Sequence, residues 1–209
     1  MLLLSACNAA KSTDRLLSDV WANDQNIRYQ MLRLTKAVTA EGRVDLIDSL
    51  LILNDALERV DAENMATVDS VLRDGLPKGL SHDSYKTIWI VIDHASLDKQ
   101  EHYLPLIEQM SNDGLIGKDE YATLFDRIAM KNNRPQRYGS QTVQFGSADS
   151  LSLYLWPLES PTQVDSLRAA VGMSPIAEYL DAVAASVGMD VQYDPKLSVE
   201  ALNQMRNNE

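Results

Sequence analysis

The chain has 209 residues, of which 45% are hydrophobic and 23% charged, with only 9 Gly and 7 Pro. That is enough apolar material for a packed core and too little punctuation for a disordered chain. Nineteen Lys and Arg against thirty Asp and Glu give a formal net charge of -11. Such a surface repels phosphate backbones and anionic headgroups, so nucleic acid is disfavoured as a partner and membrane attachment has to come from a lipid.

Leu4-Ser5-Ala6-Cys7 resembles a lipobox, an apolar residue and two small ones ahead of a cysteine that is acylated. No Lys or Arg precedes the apolar run, and it is shorter than the ~7–15 apolar residues of an ordinary signal, so residues 1–7 read as a truncated lipoprotein signal. Cys7 is the sole cysteine, which excludes an intramolecular disulfide and a four-cysteine zinc site. The expectation is lipidation at Cys7 and a place in the cell envelope, anchored to a bacterial membrane through the lipid only. The alternative is a cytoplasmic protein in which Cys7 is a buried thiol. Residues 8–13 read as a short polar tether, and 14–209 as a single helical domain. No later stretch has the ~20 apolar residues that span a bilayer.

In chain order, Leu17, Val20, Trp21, Met31, Leu34 and Val38 recur at three- and four-residue steps, predicting a long first helix that ends near Gly42. Val44 to Val60 carries a second helical pattern. Asp61 is placed to cap a third helix bearing Met65, Val68 and Leu72, stopped by Gly75 and Pro77. Ser81 opens a fourth helix with Ile88-Trp89-Ile90-Val91-Ile92, apolar all round and so central, although five such residues also suit a strand. Pro105 should kink the next helix or mark its first turn, and Lys118 to Lys131 forms another. Then the period changes. Thr142 to Phe145 and Leu151 to Trp156 alternate as strands around a loop from Gly146 to Ser150, after the turn at Asn132-Asn133-Arg134-Pro135. Helices resume at about Thr162, at Pro175 behind Ser174, and at Ser198. The fold class is mainly α, a multi-helix bundle with a single β-hairpin near residues 142–156.

The ordered residues Asp24-Gln25 with Arg28, Trp89 with His94, Leu104-Pro105, Asp126-Arg127, Pro135-Gln136, Tyr138-Gly139-Ser140-Gln141 and Arg168 with Gly172 resemble the signature of a bacterial family of unknown function. The likeness covers about residues 20 to 180. The family's hairpin motif usually reads Tyr-Gly-Thr-Gln, and Ser140 keeps the hydroxyl. The resemblance implies secreted or lipid-anchored relatives and no assigned reaction.

Read physically, Asp24 and Arg28 are four apart and pair on one helical face. Asp126 sits on an inward face and needs a partner, for which an arginine is the natural candidate. His94, at the end of the most apolar helix, suits proton transfer if it faces a cleft, and packs on backbone if it does not. Gln136, Tyr138 and Gln141 offer two amides and a phenol around Gly139, suited equally to reading sugars or peptides and to bracing an irregular loop. His94, Asp126, Arg127, Gln136, Tyr138, Gln141 and Arg168 are therefore expected to line a polar ligand pocket, with His94 the candidate catalytic residue. His82, His94 and His102 lack the three-to-five spacing of helical zinc ligands, so no metal and no cofactor is expected. The functional expectation is a binding or interaction module for an unidentified small molecule, glycan or peptide. The rivals are an envelope hydrolase using His94 as general base and a structural helical adaptor. Whether the chain is an enzyme is left open by the sequence.

Overall fold

The structure, a computed structural model, describes residues 2–39, 41–146 and 151–207, with side chains from Ala10 onward save Thr39. The side chain of Cys7 and residues 147–150 of the expected hairpin loop therefore lie outside the described residues. The chain is mainly helical with a small sheet, as the sequence predicts. Where one domain over 14–209 is expected, the contacts divide the chain into two compact units, Met1–Lys99 and Gln100–Glu209.

The first unit is built from α1 (Leu2–Thr39), α2 (Ile47–Leu72) and α3 (His82–His94), each packed on the other two. Residues 8–13, expected as a tether, lie within α1. Leu17, Val20 and Ile27 of α1, Met65, Val68 and Leu72 of α2 and Ile88, Val91 and Ile92 of α3 are its buried apolar residues. Ser81 caps α3 as expected, its hydroxyl accepting from the Ser84 N–H at 3.2 Å. The apolar run of α3 is helical and central, with Ile88, Trp89, Val91 and Ile92 buried.

The expected break at Asp61 is corrected: α2 runs through it without interruption. Ala62-Glu63-Asn64-Met65-Ala66 contains no Gly or Pro to stop a helix, and the Asp61 carboxylate is engaged by Arg28 instead of by a helix N-terminus. The first half of α2 buries nothing among its described residues, and Leu51 and Ile52 are 61% and 69% exposed. The helical pattern read over Val44 to Val60 is realised, but Ile47, Leu51 and Ile52 are exposed while Leu50, Leu57 and Val60 are half-buried.

The second unit takes in α4 (Leu97–Asn112) from Gln100 on, α5 (Lys118–Lys131), β1 (Thr142–Phe145), β2 (Ser152–Leu155), α6 (Val164–Ala170), α7 (Ile176–Val187), β3 (Val191–Gln192) and α8 (Val199–Asn207). Pro105 lies inside α4, where it removes one backbone bond of the ladder. α5 keeps its expected bounds, with the Glu120 carboxylate accepting from the Gly117 N–H at its start and Asn133 turning left-handed at φ 52° after its end. β1 and β2 pair antiparallel, Val143 opposite Tyr154, which realises the hairpin. The sheet has a third strand the sequence did not signal: β3 pairs parallel to β2, Leu153 opposite Val191. Two small apolar clusters support it, Leu155 with Val164 and Ile176, and Trp156 with Val199 and Leu202.

Candidate functional site

Two polar centres carry the residues singled out from sequence, one in each unit. In the second unit, α5 presents Asp126, fully buried, to the chain that leads into β1. Its carboxylate accepts from the backbone N–H of Arg137 at 2.8 Å, of Tyr138 at 3.1 Å and of Ser140 at 3.1 Å, and from the Ser140 hydroxyl at 3.0 Å. Burial pushes the Asp126 carboxyl up, and the three N–H donors oppose that shift. The expected arginine partner is thus replaced by backbone.

Gln136, also fully buried, works as a clasp. Its amide nitrogen donates to the carbonyls of Gln141 and Trp156, while its oxygen accepts from the Gln141 N–H at 2.8 Å. Gln141 Nε2 donates to the Thr123 carbonyl of α5 at 3.3 Å and to the Ser140 hydroxyl at 3.1 Å. Arg168 of α6, 2% exposed, donates to the carbonyls of Ser174, Tyr138 and Gly139 and lies 4.7 Å over the Tyr179 ring. Burial pushes its guanidinium below the usual arginine range. Gly139 turns at φ 69°, and a Cβ there would meet Ile176 Cδ1 at 2.8 Å, which explains the glycine. Tyr138 sets its ring edge-on to Phe125.

Asp126, Gln136, Tyr138, Gln141 and Arg168 are therefore brought together, and their bonds run to the backbone of residues 136–141. Buried polar groups that satisfy one another in this way lock a loop. Arg127, half-buried on α5, contributes its charge near Tyr179, whose hydroxyl donates to the Ser140 carbonyl at 2.6 Å.

His94 belongs to the first unit. Its Nδ1 lies 3.0 Å from Asp24 Oδ1, and since an ionised carboxylate only accepts, the proton sits on Nδ1. Asp24 is 1% exposed and also accepts from Arg28 Nε at 3.3 Å, the i,i+4 pair expected from sequence, and from Gln25 Nε2 at 2.7 Å. Arg28 extends its Nη2 to Asp61 on α2. Burial tends to raise the Asp24 carboxyl, yet His94 and Arg28 outweigh it and hold Asp24 below its ordinary value. Burial raises Asp61, with Arg28 opposing.

Ligand atoms of Asp24, Asp61 and His94 lie within 4.8 Å of one another, a set able to hold a metal ion that no sequence spacing signals, because it draws on three helices. Here the Arg28 guanidinium bridges the two carboxylates and supplies the positive charge. Among the described residues no hydrogen bond reaches His94 Nε2, so that nitrogen is left for a ligand or a water to meet. Asp24 and Arg28 carried a legible signal in their four-residue spacing. Asp61 carried none, being read as a helix cap.

A family model for proteins of unknown function, DUF6624, matches residues 15–192. The chain belongs to that family. The match spans both units and most of the chain, and it assigns no reaction to the family. No curated protein and no solved structure matches.

Proposed function

We propose that the protein is a lipid-anchored cell-envelope binding module whose ligand is met by the Asp24–Arg28–Asp61–His94 centre, with the Asp126 network as the brace of a loop. The observation that carries this reading is the orientation of His94 by a buried carboxylate, with Nδ1 committed to Asp24 and Nε2 left to an incoming group. Arg28, 26% exposed, adds a cation beside it. The envelope address rests on the Leu4-Ser5-Ala6-Cys7 pattern. The test is thermal-shift screening against envelope glycans and peptides: a ligand that stabilises the native protein should lose its effect in His94→Gln and keep it in Ser140→Ala. A ligand indifferent to His94→Gln sinks the reading.

The same pair favours hydrolysis as a second reading. His94 Nε2 would take the proton of a water whose oxygen bonds to the electrophilic carbon. The leaving group would then depart with that proton, while Arg28 stabilises the developing negative charge. The exposed Ile47, Leu51 and Ile52 favour the adaptor reading, in which a partner covers the apolar end of α2.

A further inference from the structure

The helices α1 and α3 meet at two polar contacts. At one end Asp14 Oδ1 accepts from the Ser81 N–H at 2.9 Å and from the Ser84 hydroxyl at 2.6 Å. At the other, Asp24 holds His94. Asp14 and Asp24 are ten residues apart, and so are Ser84 and His94, so the two helices run parallel and in step over about 15 Å. A cavity of about 440 Å³ opens along this seam, lined by Trp21, Ser18 and Asp14 of α1 and by Ser84, Lys86 and Thr87 of α3. Its volume falls within the ~300–1,000 Å³ of small-molecule sites.

Trp21 and Arg28 are seven residues apart on α1, and Thr87 and His94 are seven apart on α3. Seven residues are close to two helical turns, so each pair shares one face of its helix, about 10 Å apart. The cavity and the His94 centre thus lie on the same flank of the α1–α3 pair.

We propose that this cavity is a subsite for a neutral saccharide, placed so that the adjoining part of the same ligand reaches His94. The proposal rests on the functional reading of His94 for its second half only. A pyranose has an apolar C–H face and a rim of hydroxyls. The half-buried Trp21 indole matches the first, and the exposed Ser18 hydroxyl with the Asp14 carboxylate matches the second, above the buried Ser84 and Thr87, whose hydroxyls donate to Asp14 and to the Asp83 carbonyl. Asp14 is preorganised, fixed at Oδ1 by two donors, and those bonds hold its carboxyl below the ordinary value, so it serves as an ionised acceptor. Two carboxylates, Asp14 and Asp83, outnumber the one ammonium of Lys86 at the lining, and on a chain of net charge -11 that balance disfavours phosphorylated or uronic sugars.

The test is calorimetric titration of the full chain with tri-N-acetylchitotriose and, separately, maltotriose. Saturable binding of either that weakens at least tenfold in Trp21→Ala is expected. Ser18→Trp, at an exposed position, should fill the mouth and weaken binding equally while leaving the fold intact, which covers the case of a Trp21→Ala variant that does not fold. Binding lost in these variants but unchanged in His94→Gln keeps the subsite and removes its link to His94. Absence of saturable binding by both sugars, or binding indifferent to Ser18→Trp, overturns the subsite even where other ligands depend on His94.

Discussion

Replacing Asp126 by Ala is the perturbation that most sharply separates a brace from a ligand contact. The carboxylate accepts from three backbone N–H groups and one hydroxyl, and all four donors lose their acceptor together. A buried donor left bare costs about 1–3 kcal/mol, so the three N–H groups alone amount to about 3–9 kcal/mol before relaxation. Relaxation of the loop and entry of water recover part of that sum, and about 3–5 kcal/mol is the expected destabilisation. For a chain of 209 residues ~1 kcal/mol moves the melting temperature by about 2–4 °C, so the transition should fall by at least about 6 °C. Asp126→Asn keeps the volume but turns an NH2 toward some of the donors, and should recover only part of the loss. Melting followed by circular dichroism, together with amide exchange at Arg137, Tyr138 and Ser140, reads the effect. A melting temperature within about 2 °C of the native protein, with those amides still protected, would refute the reasoning.

Gln136→Ala removes three hydrogen bonds of a fully buried side chain and should destabilise by about 2–4 kcal/mol in urea titrations, with no effect on ligands that act at His94. Gly139→Ala should cost at least ~1 kcal/mol for the left-handed backbone, more where the new Cβ meets Ile176, and melting curves check it. Asp24 titrates below its ordinary value in the folded chain, so its contribution is present above the unfolded carboxyl value of 3.8 and is lost as pH falls through the lower folded value. Acid unfolding of the native protein should therefore show a component below pH 3.8 that Asp24→Asn lacks. Expressed behind a complete lipoprotein signal peptide, the protein should take up labelled fatty acid at Cys7, and Cys7→Ser should release it from membranes; equal labelling of both would contradict the anchor.

What the sequence disclosed was local. Ser81 as a cap, the limits of α5 and the alternation of β1 and β2 each follow from residues within a few positions of one another, where backbone propensity and period decide. β3 escaped because two residues, Val191 and Gln192, become a strand only by lying beside β2. The polar residues at 136–141 were legible as a group and their role was not. A buried amide or carboxylate reads identically whether its partner is a ligand or a backbone N–H, and only the turn at Gly139 brings those N–H groups onto Asp126. His94 was found from its place after the apolar run. Its partner lies seventy residues earlier on another helix, beyond the reach of any spacing rule.

The tautomer of His94 tests the central claim most directly, because the account depends on Asp24 holding the proton on Nδ1 and leaving the Nε2 lone pair for a ligand. Long-range proton–nitrogen correlation spectra of the histidine rings, recorded at a pH where His94 is neutral, distinguish the two nitrogens. The account predicts a protonated Nδ1 and a bare Nε2, with that preference lost in Asp24→Asn. A neutral His94 protonated on Nε2 in the native protein would contradict it.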